Sequence, residues 1–216
     1  MQYKNPMTLQ DFFDYNLKEI RDSSNFFVNS TNMDPYNVVI SNKIFKNIYL
    51  KGPNKSGKSH LINIWKKNND AILYNKNLKD ILNTKKNVAI DNLFVNIDEE
   101  HIFHIINHCK NENLKVFITS NLDINEHNFK LIDLESRLKT FYHVSILNPD
   151  DEMVKIILTK LLYEKQFIIK NPEIFEFLIK RIERSYQSIY DLIDKLDKFS
   201  LQNKRQLTIP LIKEIL

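Results

Sequence analysis

The sequence predicts an α/β fold over residues 1–147, a parallel sheet sandwiched by helices, and then a small all-helical subdomain over 148–216. Three observations predict it. The stretch Gly52-Pro53-Asn54-Lys55-Ser56-Gly57-Lys58-Ser59 stands between a short apolar run and an amphipathic one. Further apolar runs of strand length then alternate with segments of helical length, the pattern of a sheet whose strands run parallel. Beyond Asn148 only helical periodicity remains.

The glycine-framed stretch matches G-x-x-x-x-G-K-[ST], a loop that wraps phosphates between a strand and a helix. The chain has two glycines in 216 residues, and this loop holds both. They stand where a side chain would obstruct approach of backbone to phosphate. Gly52 lets the chain leave the strand and curl. The N–H groups from Asn54 to Ser59, with Lys55 and Ser56 among them, form a concave nest for an anion, and Gly57 permits the tightest approach. Lys58 supplies a point charge to the β- and γ-phosphates, and the Ser59 hydroxyl completes a Mg²⁺ shell. The helix that continues through His60 adds its positive N-terminal end. ADP or ATP with Mg²⁺ is the implied ligand.

Taken in order, Leu9, Phe12, Phe13 and Leu17 line one face of a short helix, and Asn25–Asn32 reads as extended. A helix is predicted around Pro35–Ser41, with Asp34 as N-cap and Pro35 in its first turn. Asn47–Leu50 is the strand that feeds the loop, and Leu61, Ile64 and Trp65 recur at helical spacing after it. Ala71–Tyr74, Asn87–Asn92, Leu114–Asn121 and Val144–Ile146 supply further strands, with a helix over 98–111. In the second part, three stripes mark three helices: Met153, Ile156, Ile157 and Leu161; Ile174, Phe175, Leu178, Ile179 and Ile182; then Ile189, Leu192, Ile193, Leu196 and Phe199. Pro172 and Pro210 fall where early-helix prolines belong.

Composition narrows the functional classes. A single cysteine, Cys109, excludes an intramolecular disulfide framework and a Cys-rich zinc site. No apolar run reaches the roughly 20 residues of a membrane helix, and no signal-peptide pattern opens the chain, so a cytoplasmic location is expected. The net charge of +4 is spread along the chain and is poor evidence for direct binding of nucleic acid.

Asp91 ends an apolar strand downstream of the loop, where nucleotide-hydrolysing folds keep the carboxylate that steadies Mg²⁺. Asn92 follows it. An amide cannot accept a proton, so unaided hydrolysis is expected to be slow. Asn121, at the end of the fourth strand, is placed to touch the γ-phosphate or its water. Arg137, in Leu134-Glu135-Ser136-Arg137-Leu138, precedes the last strand and is a candidate finger for a neighbouring subunit's nucleotide, against the plainer reading of a surface salt bridge. His101, His104 and His108 share a helix face beside Cys109, but no second motif supplies further metal ligands.

Together these segments resemble the AAA+ ATPases, and within them the DnaA branch, most closely the Hda-like regulatory inactivators of DnaA. The likeness covers nearly the whole chain. Phe27-Val28 with Asn32 is similar to the segment that lies beside the adenine. Gly52–His60 corresponds to Walker A, Ile90-Asp91-Asn92 to the Walker B form seen in this family, and Ile118-Thr119-Ser120-Asn121 to sensor I. Asp133-Leu134-Glu135-Ser136-Arg137-Leu138 resembles D-L-x-S-R-L, whose arginine is the finger acting in trans, and Leu207–Leu216 is nearly the family's ending. Two departures stand out. The sensor II arginine position falls on Gln187, with Arg184 one helical turn earlier as a substitute. The clamp-docking Gln-Leu segment of the family has only Gln10-Asp11-Phe12-Phe13 as its counterpart.

The resemblance implies a regulator that holds ADP or ATP, binds the DNA polymerase III sliding clamp, contacts DNA only through that clamp, and stimulates hydrolysis of DnaA-bound ATP. The initiator itself continues into a DNA-binding domain beyond the point matched by Leu216, which favours the regulator. No membrane partner is expected, and self-association is left open. The alternatives are a DnaA- or DnaC-like ATPase acting on DNA or as a helicase loader, and an adaptor that uses the fold only to present a surface.

Overall fold

The structure, a computed structural model, describes residues 26–41, 45, 47–95, 97–167, 169, 171–203 and 205–215. The readings placed on residues 1–24, including Gln10–Phe13, lie outside the described residues. The chain divides into two compact units, Val28–Leu147 and Asn148–Leu216, with Phe26 and Phe27 grouped with the second.

Five parallel strands build the first unit: β1 (Asn47–Lys51), β2 (Ala71–Leu73), β3 (Asn87–Ile90), β4 (Val116–Ser120) and β5 (Tyr142–Ser145). Their order is β2-β3-β4-β1-β5, so β1, which feeds the phosphate-type loop, pairs with both β4 and β5. The connecting helices are α1 (Met33–Ile40), α2 (Lys58–Asn68), α3 (Leu78–Leu82), α4 (Glu99–Asn111) and α5 (Ile132–Leu138). Side chains on a strand alternate between faces. On one face Trp65 of α2 packs on Phe117 of β4, ring centroids 5.3 Å apart. On the other, Tyr49, Val88, Ile90 and Ile118 join Ile102, Ile105 and Leu134 in a continuous core. Both faces are covered, which is why β1 and β4 read as unbroken apolar runs.

Several boundaries differ from the sequence expectation. Asn29–Asn32 is a turn, not extended chain. Its buried amides close it: Asn29 N–H donates to Asn32 Oδ1 (2.9 Å), and Thr31 N–H donates to Asn29 Oδ1 (2.9 Å). That turn starts α1 at Met33, with Asn32 rather than Asp34 at the N-cap position, and Asp34 falls inside the first turn. α3 and α5 were not foreseen. Five and seven residues, respectively, are too few to show helical period.

α5 is set in place by Glu99 at the start of α4. Its carboxylate accepts the N–H groups of Lys130 (3.2 Å) and Leu131 (2.7 Å), and faces His127 Nε2 at 3.4 Å. Burial works to raise the Glu99 pKa, but these donors outweigh it and hold the carboxyl below its ordinary value. A folded-state pKa below the unfolded one stabilises at neutral pH, and the contribution disappears as pH falls through the folded value. Glu99→Ala is therefore expected to cost about 1–2 kcal/mol at neutral pH. The difference from the unmodified chain should vanish in acid below the carboxylate range. Urea unfolding at both pH values checks this, and a pH-independent difference would show that the hydrogen-bonded carboxylate is not the cause.

The second unit is helical: α6 (Asp151–Glu164), α7 (Glu173–Ile179), α8 (Tyr186–Asn203) and α9 (Ile209–Lys213). Its core gathers Leu158, Leu161, Leu162, Phe175, Leu178, Ile189, Ile193, Leu196, Leu211 and Ile212. On α6 the buried stripe runs through Val154, Leu158, Leu161 and Leu162, while Ile156 and Ile157 stay half-buried. Asp150 and Thr208 cap α6 and α9 through their side chains, and Pro172 and Pro210 stand at or just inside the starts of α7 and α9.

Candidate functional site

The loop between β1 and α2 lies at the C-terminal ends of the strands, where open parallel sheets carry their ligand crevices. Gly52 N–H donates to Ser120 O of the neighbouring strand (3.0 Å), tying the loop's first residue to β4. A Cβ on Gly52 would stand 2.9 Å from Ser56 Oγ and 3.1 Å from Ile146 Cβ, so no larger residue fits. Gly57 takes φ 93°, a left-handed conformation, as the residue preceding α2. The N–H groups of Lys58 and Ser59, first in the helix, have no intrahelical acceptor and point out of its positive end.

Lys58 is buried at 5% exposure. Its ammonium donates to Gly52 O and Pro53 O, both at 2.7 Å, which folds the loop over the lysine. Burial lowers the Lys58 pKa, and the Asp91 carboxylate opposes that effect. Ser59 Oγ donates to Asp91 Oδ2 at 2.6 Å. Asp91 and Thr119 lie on the sheet face that α2 covers, one strand apart, and the Thr119 hydroxyl donates to Asp91 Oδ1. Thr119 Oγ1 also accepts the Asn92 N–H (3.0 Å), holding Asn92 at φ 52°, a left-handed conformation that asparagine tolerates. Asn121 follows β4 directly and is exposed, as are Asn54 and Lys55 on the loop.

These residues fit a phosphate and a hard cation. The hollow at Gly52 admits no side chain, and the buried Ser56 Oγ has no hydrogen-bond partner among the described residues. A hydroxyl and a carboxylate converge at Ser59 and Asp91, an oxygen donor pair suited to Mg²⁺.

Arg137 is elsewhere. It sits in the last turn of α5 and lines a hollow of about 540 Å³ with Asn47, Ile106, Lys110 and Phe141. Asn47 opens β1, so this hollow belongs to the N-terminal rim of the sheet, the length of a strand away from the loop. For five residues that is about 16 Å. The Arg137 guanidinium lies 4.9 Å from the centroid of the Phe103 ring, and no carboxylate pairs with it among the described residues. The surface salt bridge weighed above is therefore not what holds it.

Comparison with known proteins follows the same lines. Domain III of the Thermotoga maritima replication initiation protein DnaA matches with a TM-score of 0.71 at 19% identity, over 89% of this chain and 93% of that one. Residues 151–216 match the family described as Hda, lid domain. The C-terminal segment is thus similar to the Hda lid family, and the chain as a whole has the fold of DnaA domain III. AMPPCP-bound DnaA from Aquifex aeolicus has a TM-score of 0.63 at 18% identity, over 92% of this chain and 67% of that one. A RuvB Holliday junction branch migration motor from Thermotoga maritima gives 0.60 at 14%, over 97% and 71%. An uncharacterized protein of Haemophilus influenzae is 29% identical over 188 residues, 78% of this chain and 80% of its own length. The structural likenesses, all at low identity, establish the AAA+ fold.

The remaining candidates fall as follows. Phe27 and Val28 are half-buried, and Asn32 is buried inside the turn it closes. Arg184 does not stand on the same helix as Gln187, because α8 begins at Tyr186. Its guanidinium instead donates to Ile182 O (3.0 Å) and Ile179 O, and pairs with Asp151 at 2.7 Å. Gln187 donates to Asp191 Oδ1 at 2.9 Å, one turn along α8. His101 and His108 are engaged with Tyr74 Oη (2.9 Å) and Thr84 O (3.1 Å), and no cluster of three metal-ligating residues exists among the described residues. Burial pushes the Cys109 thiol up to about 12, as befits an inert core residue. Thr119 was not singled out from sequence, and Ser56 was read for its backbone N–H rather than for its buried hydroxyl. The one available signal was for Thr119, two residues past Phe117 on a strand, which alternation places on the α2 face.

Proposed function

We propose that this chain is a nucleotide-holding regulator of replication initiation. Docked on a DNA-loaded sliding clamp, it presents Arg137 to ATP held by DnaA and triggers hydrolysis there. The observation that carries the reading is the separation of two machineries on one sheet. The loop with Lys58, Ser59 and Asp91 occupies one rim, and an arginine without a carboxylate partner among the described residues occupies the other. An arginine on that far rim is out of reach of its own loop and can serve only a neighbour's phosphate.

Within the chain's own site, Gly52, Pro53, Asn54, Lys55, Ser56 and Gly57 shape the hollow. Lys58 meets the β- and γ-phosphates, Ser59 and Asp91 hold Mg²⁺, and His60 continues the helix behind them. ADP or ATP, when bound with Mg²⁺, would supply the phosphate charge that compensates the burial of Lys58. Phe27, Val28 and Asn32 flank the base, Asn121 senses the terminal phosphate, and Arg184 is the candidate contact from the lid. Asn92 in place of an acid leaves the attacking water without a general base, so the site holds nucleotide more than it turns it over. The chain acts in the cytoplasm; among the described residues no helix is long and apolar enough to cross a membrane.

The test is ATP turnover by cognate DnaA with clamp-loaded DNA, with and without this chain, alongside turnover by the isolated chain. Acceleration of DnaA and slow intrinsic turnover, indifferent to single-stranded DNA, are expected. Rapid turnover by the isolated chain, stimulated by single-stranded DNA, would instead establish the helicase-loader reading.

A further inference from the structure

We propose that Phe103 is a positioning residue for Arg137, holding the guanidinium by its face so that its N–H edge stays available to a partner's phosphate. The inference rests on the finger reading above and adds a residue to it. Phe103 lies on α4, half-buried at the margin of the sheet core. Ile106 and Lys110, three and seven positions on, share its helix face, and both line the same hollow as Arg137. The Arg137 Cζ lies 4.9 Å from the ring centroid, inside the range in which a cation is attracted to an aromatic face.

The choice of an aromatic partner has a chemical consequence. A carboxylate would take the guanidinium by its forked N–H edge, the same edge that grips phosphate. A ring attracts the cation without supplying a forked acceptor, so the N–H edge stays available to phosphate. Arginine also carries several rotatable bonds, and ordering them only on arrival of a partner would weaken the contact. The contact with the ring does part of that ordering in advance. Among the described residues the Arg137 guanidinium has no carboxylate partner, Lys110 in the same hollow repels it, and the Phe103 ring lies against it.

The experiment compares Phe103→Leu, Phe103→Tyr and Arg137→Ala with the unmodified chain in DnaA-ATP hydrolysis on clamp-loaded DNA. Maximal rate and half-stimulating concentration are read separately. Phe103→Leu is expected to lower the maximal rate about 3- to 30-fold, with ADP uptake by calorimetry unchanged, and Phe103→Tyr to restore it. Proton NMR of the unmodified chain provides a readout that needs no partner: ring current should shift the Arg137 side-chain protons upfield, and Phe103→Leu should abolish the shift. An unshifted Arg137, an undiminished maximal rate in Phe103→Leu while Arg137→Ala is inactive, or failure of Phe103→Tyr to rescue would each overturn the assignment. Full activity of Arg137→Ala would remove the finger reading itself, and that outcome is distinct from the others.

Discussion

Arg137→Ala is expected to reduce stimulated hydrolysis of DnaA-bound ATP by about 10³-fold or more, the scale seen when a finger arginine is absent from a phosphoryl-transfer site. The same variant should take up ADP as the unmodified chain does, because its side chain lies on the rim opposite the loop. It should also melt at nearly the same temperature. The guanidinium makes no ion pair among the described residues, and its contact with Phe103 is worth about 0.5–1 kcal/mol at an exposed site. Arg137→Lys should recover little. An ammonium is a point charge without the planar fork that grips two phosphate oxygens at once. Stimulation undiminished in Arg137→Ala would end the proposed mechanism, whatever the chain's affinity for nucleotide.

Lys58→Ala is the second large effect, and it reports on the other rim. The ammonium is buried, donates two 2.7 Å hydrogen bonds to loop carbonyls, and is held against a burial penalty that lowers its pKa. Removing it deletes the point charge meant for the phosphates and the tie that folds Gly52 and Pro53 over the site. Charge-assisted hydrogen bonds are worth about 1.5–3 kcal/mol each, so ADP affinity should fall on the order of 10- to 100-fold. Titration calorimetry on nucleotide-stripped protein measures it. If the unmodified chain takes up neither ADP nor ATP with Mg²⁺, every role assigned around Gly52–Ser59 loses its basis. If Lys58→Ala loses nucleotide yet keeps its cellular function, the chain is an adaptor and the nucleotide is incidental.

How much of this was legible before the coordinates depended on how local each signal is. The loop was read in full, because two glycines, a lysine and a serine at fixed spacing carry their geometry within eight residues. The five strands were read too, since central parallel strands are apolar on both faces, though their ends moved by up to two residues. β5 runs over Tyr142–Ser145, and most of it is exposed at the sheet edge, so apolar content marked it poorly. What stayed hidden was relational. Nothing near Thr119 announces that its hydroxyl meets Asp91 across 28 positions, and nothing near Phe103 announces the arginine 34 positions on. The turn at Asn29–Asn32 was missed because two side-chain amides, rather than glycine or proline, close it.

Because all five strands of the first unit run parallel, its two rims are chemically unlike. Any assembly that joins a finger rim to a nucleotide rim is polar and heterologous, leaving one unsatisfied end at each terminus unless it closes into a ring. On the proposed mechanism, a single such chain added to the end of a row of nucleotide-bearing subunits would act on the one neighbour it abuts, and on no other.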